Sequence, residues 1–508
     1  MSDSTHVDVL IVGAGLSGIG AAHHLQSTLP GKSYAILESR EAIGGTWDLF
    51  RYPGVRSDSD MQTLGYRFRP WTDDKAIADG PAILRYVRDT ATEAGIDRHI
   101  RFGHRAVSAS WSSADAQWTV LVTRTRTRPD GGESASEPEP EPEPEQVRFT
   151  CGFLLICSGY YRYDQGYTPD FPGSERFAGP VVHPQHWPQD LDYAGKRVVL
   201  IGSGATAVTL GPALAEQAAH VTMLQRSPTY IMTLASQDAI ANRLRKAFGP
   251  RVSYPITRWK NVALATLVYQ LSQRRPEFVR AVIKRDQRRR LPADFDLETH
   301  LTPTYKPWDQ RMCLVPDGDL YRAISKGRMS VVTDRISTFS ETGIDLESGA
   351  HLDADIVVTA TGLNILLIGG MTLTVDDAPV VPPEKVAYKG MMLDGVPNFA
   401  FCVGYTNASW TLKADLVSEY VCRLLKTMEA SGERICVPVR SDRSMETRPL
   451  LDFGAGYVLR ALDLLPKSGP KAPWRLGMNY AQDVLTLRHG RIRDGVMRLS
   501  NPDRRANA

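Results

Sequence analysis

Two glycine turns, each placed between an apolar strand and a helix, constrain this chain more than any other feature. Gly13-Ala14-Gly15-Leu16-Ser17-Gly18 follows the apolar run 7–12, opens a helix-like segment at 17–28, and is followed by a second strand at 34–37. Near the middle the pattern recurs: strand 197–201, the turn Gly202-Ser203-Gly204-Ala205-Thr206-Ala207, a helix to residue 215, and a strand at 220–224. Each reads as an opening βαβ unit in which the first glycine makes the tight turn and the second lets backbone approach a pyrophosphate. The third position, Gly18 or Ala207, allows close helix–strand packing. The fold class expected is α/β, with two Rossmann-like dinucleotide-binding domains.

The strand that follows each turn separates the two sites. The first ends in Glu38, whose carboxylate can accept both ribose hydroxyls, and its N-terminal place favours the ADP half of FAD. The second ends in Gln225-Arg226-Ser227 with no carboxylate. An acid there would repel a 2′-phosphate, whereas Arg226 can bond it, which favours NADPH over NADH.

With 508 residues, 42% of them apolar and 23% charged, the chain has room for two to four domains at roughly 100–200 residues each. The expected division is 1–158 with 364–508 around FAD, 159–233 with 302–363 around NADPH, and a helical basic insertion at 234–301. A net charge of +3 gives no global pull towards nucleic acid, and no such partner is expected. Six scattered cysteines without a C-x-x-C pair suit reduced thiols and argue against a disulfide reductase. No signal peptide and no bilayer-spanning run are read, so a cytoplasmic location is expected. The stretch 137–145, EPEPEPEPE, is expected to be a solvated hairpin loop between strands 118–127 and 147–157. Further strands are expected at 355–361 and 400–403, and a long helix at 410–428. Residues 243–290 carry 14 Lys and Arg against 2 Asp and Glu around the apolar run 262–271. That segment reads as a helical insertion with a basic solvent face, or as a peripheral contact with an anionic membrane.

Two longer patterns narrow the family. Residues 44–58, GGTWDLFRYPGVRSD, match [A/G]-G-x-W-x4-[F/Y]-P-[G/M]-x3-D, and residues 177–188, FAGPVVHPQHWP, match F-x-G-x3-H-x3-W-P. With the two glycine turns they resemble the type I Baeyer–Villiger monooxygenases, flavoproteins that use FAD and NADPH. Segments such as RYPGVRSDSDM, HPQHWP and KPWDQRMCLVPDGDL are most similar to the actinobacterial, ethionamide-activating subgroup. The resemblance implies O2-dependent conversion of ketones to esters, with oxygenation of thioethers and thioamides as a side activity. S- or N-oxygenation as the main activity, and a non-catalytic dinucleotide sensor, are the alternatives.

By the same resemblance, Arg311 is the catalytic arginine, a permanently protonated donor that stabilises a flavin-bound peroxide anion, and Asp58 orients it. Gly45, Thr46 and Trp47 are placed beside the cofactors, with Gly13, Gly15, Ser17, Gly18 and Glu38 on FAD. Gly202, Ser203, Gly204, Ala205, Thr206, Arg226 and Ser227 are placed on NADPH. Phe177, Gly179, His183, Trp187 and Pro188 form the linker fingerprint, in which His183 coordinates domain motion. Many family members carry Lys before the arginine, and here Gln310 stands there. The pair His183 and His186 has metal-like spacing but no third ligand, so no metal is expected. The residues 407–410 precede the late helix, and a core role for Trp410 is as compatible with the sequence as a site role.

Overall fold

In a computed structural model of the chain, residues 4–125, 144–310, 312–451 and 453–502 are described. Alternation in the strand β1 (Thr5–Val12) sends Val9 and Ile11 under helix α1 (Leu16–Thr28), while Leu10 and Val12 join Trp118 and Val120 in a second core. Parallel pairing with β2 (Tyr34–Leu37) on one side and β3 (Glu145–Ile156) on the other places β1 inside a nine-stranded sheet. The sheet continues antiparallel from β3 through Gln117–Arg124 and His104–Ser112. Most of the Glu-Pro stretch lies outside the described residues. Its last residue, Glu145, begins β3 opposite Arg124 and is not part of a loop as expected, because the ladder extends that far.

A second sheet is entirely parallel, in the order Met329–Thr333, His220–Gln225, Arg197–Ile201, Ile356–Thr359, Val181–Val182. We call its central strand β4 (Arg197–Ile201), the helix after it α2 (Ala205–Leu214), its second strand β5 (His220–Gln225) and its partner on the other side β6 (Ile356–Thr359). All four residues of β6 are buried, as expected for a parallel strand covered on both faces. The expected strand at 355–361 is therefore shorter in the structure, and Gly362 follows it at φ +119°.

The basic region folds as α3 (Ala239–Arg274) and α4 (Pro276–Arg290). Asp238 caps α3 by accepting from the Ala241 N–H, and Gly249 at φ 71° breaks the helix before Pro250. Tyr254 and Val262 of α3 belong to the core under α1. Arg258 is 4% exposed and donates to the carbonyls of Gln62 and Gly65 at 2.9 and 2.7 Å. One of the basic residues in this region is thus an internal pin and not a surface charge. The late helix α5 (Trp410–Ser431) is buried along most of its length and lies against α1. No helix among the described residues is long and apolar enough to cross a membrane.

Candidate functional site

The two glycine turns repeat the same contact. A side-chain carbon on Gly13, at φ +106°, would sit 2.6 Å from the Cys157 carbonyl just beyond β3. One on Gly202, at φ +128°, would sit 2.3 Å from the Ala360 carbonyl just beyond β6. In both units the strand on the far side of the first closes over the turn, so only glycine fits. Gly18 packs against the Gly13 carbonyl. Gly15 and Gly204 differ from these: each stands at a helix N-terminus as its cap. Gly204 has no heavy atom within 4 Å of a would-be Cβ, and Gly15 meets only the Gly45 backbone, its Cα at 3.5 Å and its N at 3.8 Å. These open spots in front of helix N-termini have the shape and polarity that a pyrophosphate needs, so the cradles fit the nucleotides that the sequence implies.

Around the first turn, Glu38 is 5% exposed and accepts from the N–H groups of Ala14 and Arg40 at 2.8 and 2.9 Å. Burial pushes its carboxyl above the usual carboxylate range, and the two backbone donors oppose that shift. Gly45 is the cap of the short helix Thr46–Leu49, with its carbonyl held by Arg40. That helix is anchored by Asp48, 2% exposed, which Arg40, Arg51 and Arg88 meet at 2.7 to 3.2 Å. Thr46 Oγ1 lies 3.2 Å from the Tyr163 hydroxyl, and Trp47 packs at the edge of the core. Ser17 points inward: its hydroxyl accepts from Trp410 Nε1 at 2.8 Å. Asp48 sits at a variable position of its fingerprint, which is why the pattern did not single it out.

The second turn is more open. Ser203 Oγ is 2.8 Å from Thr229 Oγ1, Thr206 bonds Tyr52, and Ala205 packs at the core edge. Arg226 and Ser227 are exposed just past β5, and Arg226 makes no ion pair among the described residues. The first fingerprint spans both units. Tyr52 is buried in the core of the second unit with Val198 and Leu200, and a Cβ on Gly54 would lie 3.1 Å from the Thr209 carbonyl of α2. The glycine of that fingerprint is therefore required by close approach to the second unit's helix.

The linker fingerprint is structural in its details. Phe177 is buried beside Phe339, and Gly179 packs on the Asp355 carbonyl. Trp187 meets Tyr193 edge-on, with Pro188 next in the chain. His183 Nε2 lies 3.1 Å from the Gly362 carbonyl while Nδ1 accepts from the Gln185 N–H. This pattern places the proton on Nε2, and burial holds the imidazole below its ordinary pKa. Gln185, 2% exposed, donates to the carbonyls of Arg162 and Tyr163 at 2.9 and 2.8 Å. Linker, Tyr163 and Thr46 thus form one connected path, through a glutamine that the fingerprint leaves variable.

A cavity of about 1290 Å³ begins at the end of the first fingerprint, with Asp58, Trp308, Met312 and Asn407 in its wall. Trp308 Nε1 and Asn407 Oδ1 are buried there without a hydrogen-bond partner. Orphaned groups of this kind await a polar ligand. Arg311 lies outside the described residues, but Trp308 and Met312 on either side of it share the cavity with Asp58. All six cysteines are buried and outside any disulfide, and burial pushes the thiols of Cys402 and Cys436 to about 11 and about 12. Such thiols are not nucleophiles, which removes a dithiol mechanism. Among the described residues no cluster of His, Cys, Asp or Glu is placed to hold a metal.

Residues 79–367 match the flavin-binding monooxygenase-like family, and residues 11–73 match the NAD(P)-binding Rossmann-like domain. The chain belongs to the flavin-binding monooxygenase-like family. It is 55% identical over 496 residues to the FAD-containing monooxygenase EthA of Mycobacterium tuberculosis (strain ATCC 25618 / H37Rv), covering 97% of this chain and 98% of that one. The probable FAD-binding monooxygenase AlmA of Acinetobacter baylyi is 45% identical, covering 97% and 96%. Among solved structures, oxidized steroid monooxygenase bound to NADP superposes with a TM-score of 0.76 at 23% identity, covering 98% of this chain and 100% of that one. Cyclohexanone monooxygenase from Rhodococcus sp. Phi1 bound to NADP+ gives 0.74 at 19% identity, with the same coverage. At that identity these structural neighbours share the fold of this monooxygenase.

Proposed function

We propose that the chain is an FAD-containing, NADPH- and O2-dependent Baeyer–Villiger monooxygenase that converts ketones to esters, with S-oxygenation of thioethers or thioamides as a side activity. One observation carries this reading: two equivalent nucleotide cradles are bridged by the 44–58 fingerprint, whose terminal Asp58 opens into a large cavity. Bound, the flavin supplies hydride acceptance from the nicotinamide and activation of O2.

The chain's own residues do the rest. The N-terminus of α1 and Gly15 take the first pyrophosphate, while Glu38 accepts from the ribose hydroxyls. Gly204 and the N-terminus of α2 take the second, with Arg226 on its 2′-phosphate. We assign 1–158 with 364–508 to the first cofactor, 159–233 with 302–363 to the second, and 234–301 to the insertion. Arg311 supplies a cation that stays protonated at working pH and stabilises negative charge developing on the substrate carbonyl oxygen. Asp58 positions that cation. Val262, Leu264 and Val268 of α3 give the cavity an apolar stretch of wall, which strengthens charge interactions beside it. Peripheral contact of the basic 243–290 segment with an anionic membrane belongs to the same reading.

The decisive experiment incubates flavin-loaded protein with NADPH, O2, and a panel of linear ketones, aryl ketones and thioethers, with product mass as readout. Esters carrying one added oxygen support the reading. Sulfoxides alone, or NADPH binding without oxygen consumption, overturn it.

A further inference from the structure

We infer that the outer faces of α3 and α4 dock on an anionic lipid surface and that the cavity opens towards it. This rests on the reading that the cavity beside Asp58 receives the ketone. On α3, Val252, Ile256, Trp259 and Leu267 recur at helical spacing, and each is between 47% and 55% exposed. Residues at that spacing share one side of a helix. The inward side is made separately by Tyr254, Thr257, Arg258 and Val262, all buried. The outward side therefore carries an apolar set of its own, separate from the residues that pack inwards. The next helix repeats the arrangement: Val279, Ile283 and Gln287 are buried, while Phe278 and Val282 are 61% and 52% exposed.

Charge decides among occupants of that face. Arg251, Arg274, Arg275, Arg285 and Arg289 are exposed and make no ion pair among the described residues. The two acids of the region are already engaged, Glu277 by Arg280 and Asp286 by Arg290. A second copy packed on the same face would set these arginines against one another. An anionic bilayer answers both features, taking the apolar side chains into its interface and the guanidiniums onto its headgroups.

The face and the cavity share a helix. Leu264, 54% exposed, also lines the cavity, as do Val262 and Val268, and Ile240 near the start of α3 is likewise both exposed and lining. An apolar ketone dissolved in the bilayer would thus meet the cavity wall at the docking surface.

The test is co-sedimentation of the full, FAD-loaded chain with vesicles of phosphatidylcholine plus phosphatidylglycerol, and with vesicles of phosphatidylcholine alone. We expect pelleting with the anionic vesicles at low salt, weakening at high salt. The combined charge reversal Arg274→Glu, Arg275→Glu, Arg285→Glu should lower the bound fraction by about tenfold or more. The exposed pair Ile256→Ser, Leu267→Ser should weaken binding at unchanged charge and leave oxidation of NADPH with a water-soluble ketone unaltered. No pelleting at low salt overturns the proposal. So does pelleting indifferent to the Ile256, Leu267 pair, or a lipid-free dimer that this pair dissociates while vesicles capture nothing. Binding is read without turnover, so a chain that pellets yet makes no ester sustains the docking and overturns only the reaction.

Discussion

The Trp410 indole donates to Ser17 Oγ at 2.8 Å, joining the first turn of α5 to the first turn of α1. The helix that opens the first cradle and the helix that opens beside the cavity are thereby fixed to each other. Ser409, one residue earlier, lines the cavity and lies 2.6 Å from Thr63 Oγ1. Trp410→Phe removes the indole donor but keeps the ring that stacks on Tyr160. It should lower unfolding free energy by about 1 kcal/mol, the net value of one hydrogen bond, read by urea titration. It should also weaken retention of FAD on dilution. A variant equal to the parent in both respects would separate the two helices functionally.

Glu38 holds the first turn through Ala14 and Arg40. Glu38→Ala leaves those donors unpaired and removes the acceptor for the ribose hydroxyls. Hydrogen bonds to a charged group contribute about 1.5–3 kcal/mol, so FAD affinity should fall by about 10- to 150-fold, with Glu38→Gln between the two. Equilibrium flavin titration measures it, and an unchanged dissociation constant removes Glu38 from the cofactor site.

Arg226 is exposed and has no ion-pair partner among the described residues. Arg226→Ala should raise the KM for NADPH by about 10- to 150-fold on the same scale and change that for NADH little. Steady-state kinetics with both nucleotides checks it. Equal effects on both would show that no 2′-phosphate is recognised there.

His23 makes the pH dependence of stability testable. Its ring stacks on Phe68 at 3.5 Å, its Nδ1 is buried without a partner, and burial with neighbouring His24 lowers its pKa to about 4. The unfolded histidine takes its proton near 6.5 and the folded one only near 4. The stabilisation is thus full above pH 6.5 and lost as pH falls from 6.5 towards 4. Since the ring is only partly buried, about 1–2 kcal/mol is at stake once solvent screening is allowed for. His23→Phe keeps the stack and should flatten this part of the pH profile of unfolding free energy relative to the parent. Parallel profiles would remove His23 as the cause.

Much of this was readable beforehand because the constraint is local. Both glycine turns, β1, α1, β4 and the α5 start follow from short-range periodicity and turn chemistry, and Glu38 and Arg226 fall at the ends of the second strands. What was not readable depends on approach between distant segments. Gly54 against α2, Gln185 against Tyr163, and Arg258 against the carbonyls of Gln62 and Gly65 are contacts that no spacing encodes. The charge count of α3 likewise concealed a buried arginine, because composition does not tell an internal pin from a solvated face.

Gly202 and Gly204 differ by two residues and should respond in opposite ways. A methyl on Gly202 would meet the Ala360 carbonyl at 2.3 Å in a backbone conformation strained for alanine, so Gly202→Ala should fold poorly. A methyl on Gly204 meets nothing, so Gly204→Ala should unfold at the parent's denaturant midpoint yet lose NADPH affinity. Nucleotide titration of a well-folded Gly204→Ala that still bound normally would show that the open space holds no pyrophosphate.

Asp58, Trp308 and Met312 share one cavity wall, with Arg311 next to Met312 in sequence. If Arg311 stabilises charge that develops only during oxygen transfer, its loss must spare every earlier step. Arg311→Ala should therefore bind both cofactors and bleach with NADPH at the parent's rate, while ester formation falls by about 100- to 1000-fold, the ~2.7–4 kcal/mol contributed by one preorganised donor. Asp58→Ala, acting through the arginine's position, should lose less, and the double variant should be no worse than Arg311→Ala alone. Rapid-mixing absorbance gives the reduction rate and product mass gives the ester. Slowed bleaching in Arg311→Ala with normal ester yield per reduced flavin would move this residue to the nicotinamide side of the chemistry.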